Sequence, residues 1–185
     1  MPKSFAVILE NVKLRWLCSC LNLPPRLGGE SRRGKFYYFY HNSGLQQHYV
    51  LYYAKDLADC AIDEKNQLSS KVSVFLDPNG FSEDGTVALS SLSFSHDGSM
   101  VSYATSSGGS DWVTIQIGKV GPDGKLEMMK ETLEHVKFTS MAWTHDNSGF
   151  FYNRYSKPVG DGELGTETQK NTNQELWYVA TAESE

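Results

Sequence analysis

Ser93-Phe94-Ser95-His96-Asp97-Gly98-Ser99 runs into Met100-Val101-Ser102-Tyr103, and Ala142-Trp143-Thr144-His145-Asp146-Asn147-Ser148 runs into Gly149-Phe150-Phe151-Tyr152, with an offset of 49 residues. Each copy reads as a strand ending near an aromatic, a tight His-Asp-Gly/Asn turn and a second strand, so the two copies are hairpins at equivalent places in successive units. Repeats of about 40–50 residues with about four strands each mark the blades of a β-propeller. A β-sandwich built of meanders is the alternative.

The texture around the repeat agrees with it. From residue 35 onward, short runs of aromatic and β-branched residues alternate with Gly, Asn, Asp and Ser clusters, a strand-and-turn pattern. Lys35 to Tyr40 and Tyr49 to Ala54 flank Asn42-Ser43-Gly44 and form a hairpin. Further strands are expected at Lys71–Leu76, Val87–Ser95, Met100–Thr105, Trp112–Val120, Lys137–Thr144, Gly149–Tyr155 and Glu175–Thr181. Residues 35–185 hold about three such units, whereas a closed propeller needs about four to eight blades. The expectation is an all-β, partial β-propeller over 34–185, with open strand edges that recruit other strands.

Residues 1–33 differ. Residues 1–35 carry seven Lys and Arg against two Asp and Glu, and residues 36–185 carry ten against twenty. Phe5 to Leu9 and Trp16 to Leu23 are apolar, but Glu10, Lys13 and Arg15 interrupt them, so neither a signal peptide nor a membrane span is expected. An amphipathic helix over about 4–22, ended by Pro24-Pro25, is the expectation, with disorder the competitor. The Gly28-Gly29 and Arg32-Arg33-Gly34 stretch reads as a linker. The acidic body argues against a nucleic-acid partner, which needs a basic surface. Cys18, Cys20 and Cys60 form no zinc spacing, and an odd count of cysteines fits reduced thiols in the cytosol.

Catalytic signals are weak. Gly108-Gly109-Ser110-Asp111-Trp112 comes nearest to the G-x-S-x-G elbow of serine hydrolases, but Trp112 stands where the last Gly is needed and a strand follows, so Ser110 reads as a turn residue. His96 and His145 beside Asp97 and Asp146 read as turn chemistry, each Asp bonding backbone N–H groups. His41, His48 and His135 have no partner that sequence identifies. Glu83-Asp84 reads as a solvated turn. Glu163 and Glu167 lack the pattern of a calcium loop, and neither metal nor cofactor is expected. Lys157 to Asn173 reads as a polar surface excursion.

Six blocks carry a family likeness. Gly34–Gln46, Phe75–Leu89, Ser107–Ile115, Val136–Asp146, Gly149–Arg154 and Gly165–Thr168 resemble, in order, the N-terminal region of the prolyl oligopeptidase (prolyl endopeptidase) family. The resemblance implies a cytosolic serine peptidase, a hydrolase in which an α/β-hydrolase domain bears a Ser-Asp-His triad and cleaves short peptides after proline. A seven-bladed propeller would cover that site and restrict entry. This chain resembles about two to three of the blades. The triad belongs to the C-terminal half and maps to no position here, so the chain alone is expected to be inactive. The family's helical N-terminal segment is not recognisable in residues 1–33.

Two residues take roles from the resemblance. Phe138 matches a propeller aromatic lining the substrate pocket, and Asp111 matches an acidic residue at the domain interface, expected to pair with a substrate-binding arginine of the hydrolase domain. From the residues alone, ordinary blade core is the first reading of Phe138, and a cap of the turn before its strand is the alternative for Asp111. Ser140 stands where the family more usually has cysteine. The rival reading is a stand-alone β interaction module that binds a protein through its open edges or the Lys157 to Asn173 loop.

Overall fold

The computed structural model describes residues 29–63, 67–156 and 173–181. Among these residues, eleven strands form three antiparallel sheets that follow one another along the chain. Sheet I contains β1 (Ser31–Arg33), β2 (Phe36–His41), β3 (Val50–Ala54) and β4 (Ser73–Leu76) in sequence order. Sheet II contains β5 (Val87–Phe94), β6 (Met100–Ser107), β7 (Trp112–Val120) and β8 (Leu126–Lys137), again in order. Sheet III contains β9 (Ala142–Trp143), β10 (Gly149–Tyr155) and β11 (Gln174–Ala180). The described residues include no α-helix. The helix expected over 4–22 and the Lys157 to Asn173 excursion lie, but for Asn173, outside them.

Alternation within the strands explains why the sheets stack. Phe36 and Tyr38 point from β2 toward sheet II, where they join Leu51, Tyr53, Phe75, Val101 and Tyr103 in one buried cluster. Phe39, the residue after Tyr38, points the other way and packs with Ala54 and Cys60. A strand with large apolar side chains on both faces must be covered on both, which is the situation of a sheet inside a stack. A second cluster joins sheet II to sheet III through Met100, Ile115, Ile117, Val136, Met141, Trp143 and Phe150.

The repeat turns lie against one another. In each, the first Asp carboxylate accepts the backbone N–H two residues on: Asp97 from Ser99 at 3.0 Å and Asp146 from Ser148 at 3.1 Å. The turns then meet across the seam, with the Asp97 N–H donating to Asn147 Oδ1 at 3.1 Å and the His96 and His145 rings 5.1 Å apart. Sheet I supplies the third member of the row. Gly34 and Gly98 both have positive φ, and a Cβ on Gly98 would sit 2.5 Å from Gly34 N, so this approach requires glycine.

Two expectations are corrected. Ser31–Arg33, read as linker, is a strand paired with Phe36 to Tyr38. Lys137–Thr144, read as one strand, is the end of β8, a short loop and β9. The rest of β8, Leu126 to Val136, was missed because it shows no clean alternation: it is an edge strand, half of its residues exposed, whose register against β7 shifts twice. Its Glu, Met, Lys and Leu residues favour helix intrinsically, and pairing with β7 overrides that preference.

Candidate functional site

The strand directions divide the loops between two ends of the stack. The repeat turns 95–99 and 144–148 lie at one end. The β6–β7 turn, the β8–β9 loop and the loops 42–49 and 77–86 lie at the other, and both residues assigned by resemblance fall there. Asp111 immediately precedes β7 and Phe138 immediately follows β8, and Trp112 pairs with Lys137 across these strands. The ladder thus sets the two dipeptides Asp111-Trp112 and Lys137-Phe138 side by side.

Phe138 is 63% exposed, so it is not blade core. Its φ of 49° takes the chain out of the β8 direction, and an aromatic residue in the left-handed region is held there by its surroundings at a cost. Thr139 fixes the next step, its Oγ1 accepting the Asn153 N–H of β10 at 2.7 Å. Asp111 does not cap its turn. Ser110 does that, its Oγ accepting the Trp112 N–H at 3.1 Å while its carbonyl accepts the Ser106 hydroxyl at 2.6 Å. Gly108 and Gly109, both of positive φ, complete a turn that has none of the strand-to-helix geometry of a nucleophile elbow.

Sequence reasoning missed Lys137. Its side chain is only 10% exposed, yet its Nζ lies 5.2 Å from the centre of the Trp112 ring, 5.0 Å from that of Phe138 and 3.7 Å from Asp111 Oδ2. Asp111 itself is largely exposed, and its Oδ1 has no hydrogen-bond partner among the described residues. The only signal was a lysine between Val136 and Phe138, and it becomes informative once the register sets it opposite Trp112.

Beside these groups lies a cavity of about 200 Å³ lined by Ser90, Ser91, Ser110, Asp111, Phe138 and Thr139. A neighbouring one of about 320 Å³ shares Ser90 and Ser91 and extends to His48 and Tyr49 over the seam with sheet I. The shared serines sit where β5 bulges against β6, a device that re-aims side chains near sites.

Other titratable groups bond within the fold. His48 Nε2 bonds the Gly85 carbonyl at 3.0 Å, and His135 Nδ1 meets Arg154 at 3.5 Å. Asp84 accepts from the Thr86 N–H and hydroxyl, and these bonds lower its pKa. Partial burial pushes the Asp97 carboxyl up, but bonds from Ser99 and Ser95 outweigh it and leave a net lowering. Cys60 is buried with its Sγ on the Asp56 carbonyl. Ser140 is exposed, and nothing in the structure explains the departure from cysteine. Glu163 and Glu167 lie outside the described residues. Among the described residues, no three His, Cys, Asp or Glu gather as a metal site, and no helix is long and apolar enough to cross a membrane.

Consecutive antiparallel sheets, packed face to face through aromatic cores and each joined to the next at the same end of the stack, are successive blades of a β-propeller. The chain belongs to the prolyl oligopeptidase family, matching its N-terminal beta-propeller domain over residues 24–185. It is 39% identical to a prolyl endopeptidase of Elizabethkingia miricola over 146 residues, 79% of this chain and 18% of that protein. A prolyl endopeptidase of Dictyostelium discoideum is 31% identical over 176 residues, 80% of this chain and 23% of that one. A solved structure from a study of two prolyl endopeptidases superposes with a TM-score of 0.62 at 31% identity, covering 84% of this chain and 19% of that one. The chain thus spans about a fifth of the length of these relatives.

Proposed function

We propose that this chain is the propeller portion of a serine endopeptidase that cleaves short peptides after proline, and that it contributes substrate contact and gating rather than bond cleavage. In this reading Phe138 offers its exposed ring to an apolar peptide residue near the scissile proline, and Asp111 offers Oδ1 to an arginine of an α/β-hydrolase domain. The observation that carries the reading is that two residues 27 positions apart in sequence line one cavity at one end of sheet II. Nucleophile, histidine and acid are supplied by the hydrolase domain. The same proposal ends the basic head before β1 rather than at residue 33, because Ser31–Arg33 pairs into sheet I, takes the cytosol as the compartment and assigns no cofactor and no nucleic-acid partner.

Assay of the purified chain on a proline-containing chromogenic peptide tests the division of labour. No turnover sensitive to an active-serine inhibitor is expected, and its appearance would place a nucleophile in this chain. A second reading, a β interaction module acting by itself, is favoured by the exposed Phe151, Leu176 and Tyr178 of sheet III. It predicts a stable complex with a protein partner that survives mutation of both Phe138 and Asp111.

A further inference from the structure

We propose that Lys137 is a positioning residue that holds the Phe138 ring and the Asp111 carboxylate as one unit, so that the two candidate contacts are presented together. The inference rests on the reading of Phe138 and Asp111 given above, and its physical basis is independent of it.

An ammonium on a flexible four-carbon stem ordinarily reaches water. Here the side chain as a whole is nine-tenths buried, and its ammonium has no hydrogen bond among the described residues, one carboxylate oxygen at 3.7 Å and two aromatic rings at 5.2 and 5.0 Å. Both rings lie within the distance at which a cation is attracted to an aromatic face, an attraction that grows as water is removed. The ion pair alone would not order Asp111, because with the carboxylate 63% exposed a contact at this separation is weak. The order of the parts gives the arrangement its meaning. Trp112 is buried in the ladder and pairs directly with Lys137, so it anchors the ammonium. The ammonium in turn reaches the two groups that leave the ladder, Phe138 with its left-handed backbone and the exposed Asp111. Without it, nothing among the described ring contacts holds the Phe138 ring. Arginine could replace lysine by stacking on the rings and bonding the carboxylate, and methionine would keep the stem but not the charge.

Nuclear magnetic resonance on the full 185-residue chain provides the test. In the wild type, ring currents should shift the Lys137 ε-methylene protons upfield of every other lysine, and the Phe138 ring should show shifts distinct from those of a free phenylalanine. Lys137→Met should collapse the Phe138 shifts to free values while the Met100 and Ile115 core resonances stay in place, and Lys137→Arg should restore the Phe138 shifts. A wild-type Lys137 resonance at the free-lysine position overturns the proposal, and this readout needs no variant to fold. Unchanged Phe138 shifts in Lys137→Met overturn it as well. Titration with the tetrapeptide Ala-Phe-Gly-Pro separates the two claims. Loss of at least threefold in affinity in Lys137→Met and not in Lys137→Arg supports positioning. Absence of wild-type binding removes the peptide reading alone, since the ring-current signature still decides the role of the lysine.

Discussion

The indole N–H of Trp143 donates to the carbonyl oxygen of Ser93, 3.2 Å away, and so ties the second copy of the repeat to the first. The bond crosses from β9 to β5 and runs beside the His96–His145 contact and the Asp97–Asn147 bond. The repeat therefore records an interface between blades as well as a hairpin within each. Trp143→Phe keeps an aromatic ring in the cluster with Phe150 and removes the bond across the seam, leaving the Ser93 carbonyl only the Ser102 hydroxyl of its own sheet at 3.4 Å as a side-chain donor, a loss of about 0.5–1.5 kcal/mol. Chemical denaturation should show a lower midpoint, and an unchanged midpoint would mean that the seam does not depend on this bond.

Two glycines of equal φ separate backbone conformation from close approach. Gly98 and Gly109 both have φ of 73°, but a Cβ on Gly98 meets the Arg33-Gly34 backbone at 2.5–2.7 Å whereas one on Gly109 meets nothing within 4 Å. Gly109→Ala should cost only the left-handed penalty of about 1–2 kcal/mol. Gly98→Ala should cost clearly more, because backbone cannot yield as a side chain can. Equal losses in thermal stability would contradict the contact between sheets I and II.

Asp146 gives the fold an acid dependence. The hydroxyls of Thr144 and Ser148, with the Ser148 N–H, hold its carboxyl down at about 2. A carboxylate whose pKa is depressed by folding stabilises the native state above the unfolded pKa near 4, and that stabilisation is lost as pH falls toward the folded value. Asp146→Asn should lower the denaturation midpoint at pH 7, and the gap from wild type should narrow between pH 4 and about 2. A gap independent of pH would show that the charge does not matter to the turn.

Sheet III exposes Phe151, Leu176 and Tyr178, and Phe151 and Tyr178 pair across β10 and β11. An uncovered apolar sheet face favours association. Light scattering after size-exclusion chromatography should find oligomers of the wild type, and the double variant Leu176→Lys, Tyr178→Lys should shift them toward monomer. A monomeric wild type would show that the face is covered by this chain itself.

The parts of this fold legible in the sequence are those where side-chain pattern and turn chemistry coincide. β7 and β10 fall at the expected residues because their apolar positions are bounded by Gly and Asp turns. β1 and β8 were not legible: three residues carry no period, and an exposed edge strand with register shifts shows no alternation. Phe138 and Asp111 were nameable only through the resemblance, since neither has a local signature. Lys137 required the β7–β8 register, which puts it opposite Trp112 and which no reading of a single strand provides.

The central claim is that the end of sheet II bearing Asp111 and Phe138 contacts peptide, whereas the end bearing the repeat turns is structural. Backbone and aromatic resonances of the whole chain, followed during titration with a proline-containing peptide, test it most directly. The account predicts that Phe138, Asp111 and Ser90-Ser91 move while His96 and His145 stay in place, and that Phe138→Ala weakens the effect about tenfold. Movement centred on the His96–His145 turns, or a response indifferent to Phe138→Ala, would contradict it.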